Sequence, residues 1–348
     1  MTRSVAGLLL VVALIAGAGL GVAAAFVVGS SAPEERAPVA ADVSPSPSTS
    51  AAEASAAPNS AAPNSAAPST VAPPGSASPP STPTHVAATP QPTPVLVRAP
   101  LDGLLVTPEQ AARHPIAVMV DDLGPARPQS GFSAASVVWH APAEGGIPRY
   151  MMVFGETRPS SVGPVRSSRY YYIAWAAEWR AMYVHVGGSP QALQALGAQG
   201  HGQLVYNADE FRFGGHYLWR IVTRSAPHNV YTDAGHLEEL ALIVGATDAP
   251  TDKPPSPVWQ FAPDPPLALR PVGGHIEVDY PANTVRYDYD RASNAYLRSV
   301  SGEGPQFDAA TGQRVAPRNV VIIQMHFGPL NDGHPQKRRL EADVIGSG

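Results

Sequence analysis

Cysteine is absent from the 348 residues, and only two of the 23 basic residues, Lys253 and Lys337, are lysines. Without cysteine the chain has no disulfide framework, no thiolate metal site and no N-terminal cysteine to carry a lipid. Charge is scarce too: charged side chains make up 15% of the sequence and the formal net charge is −5, which argues against a nucleic-acid partner. The eleven histidines form no His-Glu-x-x-His pattern or other dense pair, so no metal and no cofactor is expected. Signatures of a phosphate-binding loop and of a Gly-x-Ser-x-Gly nucleophile elbow are missing as well.

What is present starts with an uncharged apolar run over residues 5–28, with Arg3 in front and Glu34-Glu35-Arg36 behind. About 20 apolar residues cross a bilayer, whereas a signal-peptide core is only ~7–15 long. Residues 1–30 are therefore expected to hold a single-pass transmembrane anchor, and the positive-inside rule puts the rest outside the cytoplasm. The small residues Ala23-Ala24-Ala25 keep a cleaved signal and a secreted protein open as the alternative. Residues 31–94 are rich in Ala, Pro, Ser and Thr, with AAPNS at 56–60 repeated at 61–65. Such a stretch lacks the apolar side chains that offset ordering entropy, so it reads as a disordered linker. At ~3.1 Å per residue in polyproline II form, it would hold a domain on the order of 100–200 Å from the membrane, as work at the cell wall requires.

Composition becomes globular at Val95. Residues 95–250 alternate apolar strands (around Ile116–Asp121, Val137–Ala141, Tyr150–Phe154 and Met182–Val186) with helices predicted over 168–181, from Pro190, and over 235–244. That alternation predicts an α/β domain. A Pro-rich linker at 249–258 leads into period-2 strands at His275–Tyr280, Val285–Asp290, Ala295–Val300 and Arg318–Phe327. Residues 251–348 are thus expected to form a smaller β-rich domain.

The blocks PIAVMVDDLGPARPQSG, AEGGIPRYMMVF, VGPVRSSRYYYIAWAAEW, YVHVGGSP and RSAPHNVYT, with YDYDRASNAYLRSVSG and TGQRVAPRNVVII downstream, resemble the YerB-like family of bacterial envelope lipoproteins. The resemblance runs from about Asp102 to Gly348. It implies a two-part extracytoplasmic domain of uncharacterised role. In this chain a membrane helix would replace the lipid, and the second domain is expected to stop short of the family's usual length.

Two stretches carry the candidate chemistry. In VGPVRSSRYYY, Ser167 or Ser168 is placed to cap a helix whose start, with the forked donors of Arg166 and Arg169, suits a carboxylate or phosphate. In YVHVGGSPQAL, Ser189-Pro190 is an N-cap and first-turn pair, and Gly187-Gly188 would let backbone approach a ligand at a strand end. His185 stands just before those glycines. Asp121 ends a strand with Arg127 close behind, and Glu144 precedes a Gly-Gly turn with Arg149 beyond it. His228-Asn229 enters a loop fixed by Pro227. Arg127, Arg149, Arg166, Ser167, Arg169, Gly187, Gly188, Ser189, His228 and Asn229 are accordingly expected to bind an anionic small molecule or cell-wall ligand. Asp121, Glu144 and His185 are the candidates for acid–base catalysis. Two readings follow: a tethered envelope binding module, or a hydrolase or transferase acting on wall polymer. No nucleophile–base pair is visible in the sequence to decide for the enzyme.

Overall fold

A computed structural model describes residues 8–15 (backbone only), 95–198, 204–247 and 259–343. The expected linker at 31–94 and most of the one at 249–258 lie outside these residues. The elements run β1 (Leu8–Ile15), β2 (Val97–Arg98), β3 (Leu105–Val106), α1 (Pro108–Ala111), β4 (Ile116–Asp121), β5 (Val137–Pro142), β6 (Pro148–Phe154), α2 (Tyr170–Ala177), β7 (Met182–His185), α3 (Pro190–Ala198), β8 (Tyr206–Asp209) and α4 (Glu210–Phe213). They continue with β9 (Trp219–Arg220), β10 (Val230–Tyr231), α5 (Ala234–Val244), β11 (His275–Asp279), β12 (Thr284–Asp290), β13 (Ala295–Val300), β14 (Gly304–Pro305), β15 (Asn319–Pro329) and β16 (Leu340–Ala342).

The main sheet has eight strands in the order β16-β15-β1-β5-β6-β4-β7-β8. Only β4, β7 and β8 run parallel to one another, and the remaining pairs are antiparallel. The region is thus a mixed α/β sheet rather than a regular alternation. Both faces are covered, which explains why β4, β5 and β6 are buried along their whole length and read as continuous apolar runs. One face packs Val118, Val120, Val138 and Met152 against α5 and against Val278, Tyr280, Val285 and Tyr287 of the β-rich part. The other packs Met119, Trp139, Met151 and Val153 against Tyr171, Tyr172 and Trp175 of α2 and Leu196 of α3. Each such side chain removed from water contributes about 1.5–3 kcal/mol.

Helix boundaries follow capping chemistry. Ser189 Oγ accepts from Ala192 N at 3.2 Å at the start of α3. Asp233 caps α5, which closes at Gly245 in the left-handed region. Helix α2 differs from expectation: its N-cap is Arg169, with no side-chain cap, because Ser168 Oγ is taken by the Tyr183 hydroxyl at 2.9 Å.

The β-rich part is a four-stranded antiparallel sheet, β11-β12-β13-β14. Strands β15 and β16, expected to stay with it, join the main sheet instead. Within the expected anchor, Leu8–Ile15 is a strand between β15 and β5; the rest of 5–28 lies outside the described residues. Among the described residues, no helix is long and apolar enough to cross a membrane.

Candidate functional site

Strands β4 and β7 pair only over Ile116–Val118 with Met182–Val184. Beyond that point they separate, and the chain fills the gap with its own segment 164–168. Asp121 N donates to Pro164 O at 3.0 Å and Arg166 N to Met119 O at 2.8 Å on the β4 side. Val186 N donates to Arg166 O at 3.0 Å, Ser168 N to Gly187 O at 2.9 Å and Ser189 N to Ser168 O at 3.2 Å on the β7 side. The two stretches singled out in the sequence therefore lie side by side at the C-terminal edge of the parallel strands, where α/β sheets place ligands.

Three arginines gather around this strap: Arg166 on it, Arg169 at the start of α2 and Arg149 on β6. Arg149, directly opposite Asp121 in the β4–β6 register, donates to Ser167 O at 2.8 Å and to Glu144 Oε2 at 2.7 Å. Arg169 pairs with the other oxygen of Glu144. Arg166 Nε lies 3.1 Å from Asp121 Oδ2 in an ion pair, whereas Arg169 Nε is buried without a hydrogen-bond partner. His228 Nδ1 meets the same Asp121 oxygen at 2.7 Å, and Leu123 N caps Asp121 Oδ1 at 3.2 Å. Three guanidinium groups thus face two carboxylates, one positive charge in excess. Burial lowers the pKa of Arg149, Arg166 and Arg169, Arg169 to about 10, since desolvation opposes the charged form. All three stay cationic at neutral pH. Arg166, Ser167, Glu144 and His228 are half-buried and form the mouth; Asp121, Arg149 and Arg169 form the buried floor.

Two residues not anticipated as part of the site hold it in place. Tyr171 Oη donates to Pro142 O at 2.5 Å and Tyr172 Oη to Arg149 O at 2.6 Å, pinning the strand ends that carry Glu144 and Arg149. The triple Tyr170-Tyr171-Tyr172 was visible in sequence, but only packing shows which hydroxyls turn inward.

The remaining expected residues sit elsewhere. His185 is fully buried, with Nδ1 2.8 Å from Gly187 O and Nε2 2.8 Å from Asn207 Oδ1, so one ring nitrogen is held by the turn and the other by β8. The imidazole within the cluster is His228. Gly187 and Gly188 admit the chain itself: a β-carbon on Gly188 would meet Ser168 Cβ at 3.3 Å, and one on Gly187 would meet the Phe211 ring at 2.6 Å. Ser189 caps α3. Asn229 accepts from Arg220 at 3.0 Å and donates to Ile221 O at 3.3 Å, locking the β9–β10 hairpin. Arg127 faces the opposite side of the sheet, where its Nε donates to Asp122 Oδ1 at 2.8 Å and it pairs with Glu303.

Among the described residues no group of three or more His, Asp or Glu side chains is arranged to hold a metal.

Comparison with known proteins gives a consistent result. Residues 101–245 match the family described as "Protein of unknown function (DUF3048) N-terminal domain" and residues 276–348 match its C-terminal domain. The chain is 33% identical over 232 residues to "Putative lipoprotein YerB" of Bacillus subtilis (strain 168), covering 66% of this chain and 67% of that one. The crystal structure of YerB protein from Bacillus subtilis superposes with a TM-score of 0.54 at 27% identity, over 71% of this chain and 80% of that one.

Proposed function

The chain belongs to the YerB-like DUF3048 family, and from that footing we propose that it is a membrane-tethered, extracytoplasmic envelope protein that binds an anionic ligand at the Arg149–Arg166–Arg169 cluster. The lipoprotein name of its relative supports the envelope, and the length of the apolar run 5–28 supports a tether that needs no lipidated cysteine; such a tether would take Leu8–Ile15 out of its pairing with β5 and β15. One observation carries the binding reading: three guanidinium groups converge on two carboxylates at a strand-end edge, with the buried Nε donor of Arg169 unmatched. A buried donor without an acceptor costs about 1–3 kcal/mol, which an incoming anion would recover.

The test is thermal unfolding of the chain with inorganic phosphate, sulfate, sugar phosphates and wall fragments, alongside Arg166→Ala. At ~100 times the dissociation constant a ligand stabilises by about 2.7 kcal/mol, and this gain should vanish in the variant. A cluster that merely braces the fold would give an early-melting variant and no ligand response in either protein.

A second reading, a hydrolase or transferase acting on wall polymer, draws support from the Asp121–His228 pair. A carboxylate that orients an imidazole is the arrangement general acid–base catalysis uses. Turnover of a wall fragment with a bell-shaped pH profile would favour it over binding alone.

A further inference from the structure

The Asp121–His228 pair narrows the class of anion. A carboxylate can only accept, so the 2.7 Å contact puts the proton of neutral His228 on Nδ1. Nε2 then carries a lone pair, and among the described residues no group meets it. His228 is half-buried at the mouth, beside Arg166, which shares the same Asp121 oxygen. In this state Nε2 repels an anion; protonated, it donates to one. With His228 neutral the cluster has one positive charge in excess, which matches a monoanion. With His228 protonated it has two, which matches a phosphomonoester at −1.5 to −2.

We propose that the ligand is a dianionic terminal phosphate, a phosphomonoester, and that His228 takes up one proton as it binds. This rests on the anion-binding reading above. The charged groups around the imidazole set the linkage. Asp121 from β4 favours the proton. Arg166 from the strap opposes it, as does Arg149 from β6 at longer range. Arg224, in the loop of His228 itself, has its donors taken by Pro125 O at 3.1 Å and Pro128 O at 2.7 Å. An anion between Arg166 and His228 cancels the opposition and leaves the support. Imidazole is the side chain whose charge changes most readily near neutral pH, so one proton completes the match there.

The experiment is titration calorimetry of the full chain near pH 7.5 in two buffers of unlike ionisation heat. The probes are glucose 1-phosphate, inorganic sulfate, dimethyl phosphate and acetate, with vesicles of phosphatidate or phosphatidylglycerol as lipid counterparts. Glucose 1-phosphate and sulfate should bind with uptake of about one proton. Sulfate cannot take that proton itself, so its uptake belongs to the protein. Dimethyl phosphate and acetate should bind more weakly and without uptake. His228→Gln should abolish the uptake and weaken dianion binding about tenfold or more, with an unchanged melting temperature showing that it folds. Binding confined to phosphatidate vesicles would uphold the phosphomonoester class and identify a lipid source. Dianion binding that Arg166→Ala removes but that carries no proton, or whose proton uptake survives in His228→Gln, would overturn this inference and leave the anion site standing. No binding by any probe would overturn both.

Discussion

Two carboxyl groups at the opposite end of the main sheet, Asp102 and Glu156, are each only 2% exposed and hydrogen-bond one another. Burial, then the hydrogen bond and negative charge of Glu156, raise Asp102 to about 8. Folded Asp102 therefore holds a proton that the unfolded chain has lost above about pH 4. Where the folded state binds more protons, stability falls as pH rises, so this residue makes the protein progressively less stable between about pH 4 and pH 8. Asp102→Asn keeps a donor toward Glu156 and removes the titration; urea unfolding at pH 5 and pH 8 should show a smaller alkaline loss in the variant. Residue-scale readings of this kind were only half legible in sequence. Asp121, Glu144, Arg149, Arg166 and Arg169 were identified, and the fold unites them. The surroundings of the two histidines were not legible, because their partners are distant along the chain. Their difference is that one ring is enclosed by Gly187 O and Asn207, while the other reaches Asp121 from 107 residues away.

At the scale of elements, the strap between β4 and β7 is the feature on which the site depends. Gly163 lets it turn in: φ is +153°, and a β-carbon there would sit 2.7 Å from both Val230 O and the Tyr231 ring. A backbone carbonyl held in the β10 pairing cannot retreat as a flexible side chain can. Gly163→Ala should therefore cost about 2 kcal/mol or more, read as a lower denaturation midpoint, and it should weaken anion binding beyond that loss because Arg166 moves with the strap. The longer strands and the cap of α3 were legible because they rest on local patterns: apolar runs and Ser-Pro. The strap was not, since VGPVRSSR reads as a turn into a helix. Its hydrogen bonds go to Met119, Gly187 and Val230, all distant along the chain.

Across the whole molecule, the β-rich part is joined to the main sheet by a buried polar network. His140 donates from Nε2 to Asp122 Oδ2 at 2.8 Å, and its ring stacks on Tyr150. Arg298, fully buried, lies over the Tyr150 and Tyr287 rings, donates to Tyr287 Oη at 3.1 Å and bonds Gln306. Gln306 continues to Gln129 at 3.0 Å, and Gln129 returns to Asp122 at 3.1 Å. Burial lowers His140 to about 4, the pull of Asp122 being outweighed with help from the charges of Arg298 and Arg127. A second proton on this ring would fall on Nδ1, which is buried without an acceptor. The unfolded chain takes that proton below about pH 6.5 while the folded one refuses it until about pH 4. The unfolded state then binds more protons, so stability is lost as pH falls through this window. His140→Gln retains a donor for Asp122 and should remove this acid loss. The loss is read in the Asp102→Asn background, because Asp102 titrates in the opposite sense over the same window. There the urea midpoint should fall from pH 7 to pH 4.5 with His140 present and stay flat in the double variant. A midpoint already flat in Asp102→Asn alone would refute the assignment.

The sequence alone determined what depends on neighbours along the chain. It gave the types of the longer strands and helices, the break in composition at Val95, the absence of cysteine, and the family, whose blocks recur in order. It also named the arginines and acids that the fold brings together, because charged residues following apolar strands emerge at strand ends. Tertiary structure decided everything that depends on closing long loops. It filled the gap between β4 and β7 with the chain's own strap, put β15 and β16 in the main sheet, turned Asp121 and Asp122 to opposite faces, and gave the oriented imidazole to His228. Such pairings join residues tens to hundreds of positions apart, and they are set by which surfaces pack together rather than by any local pattern.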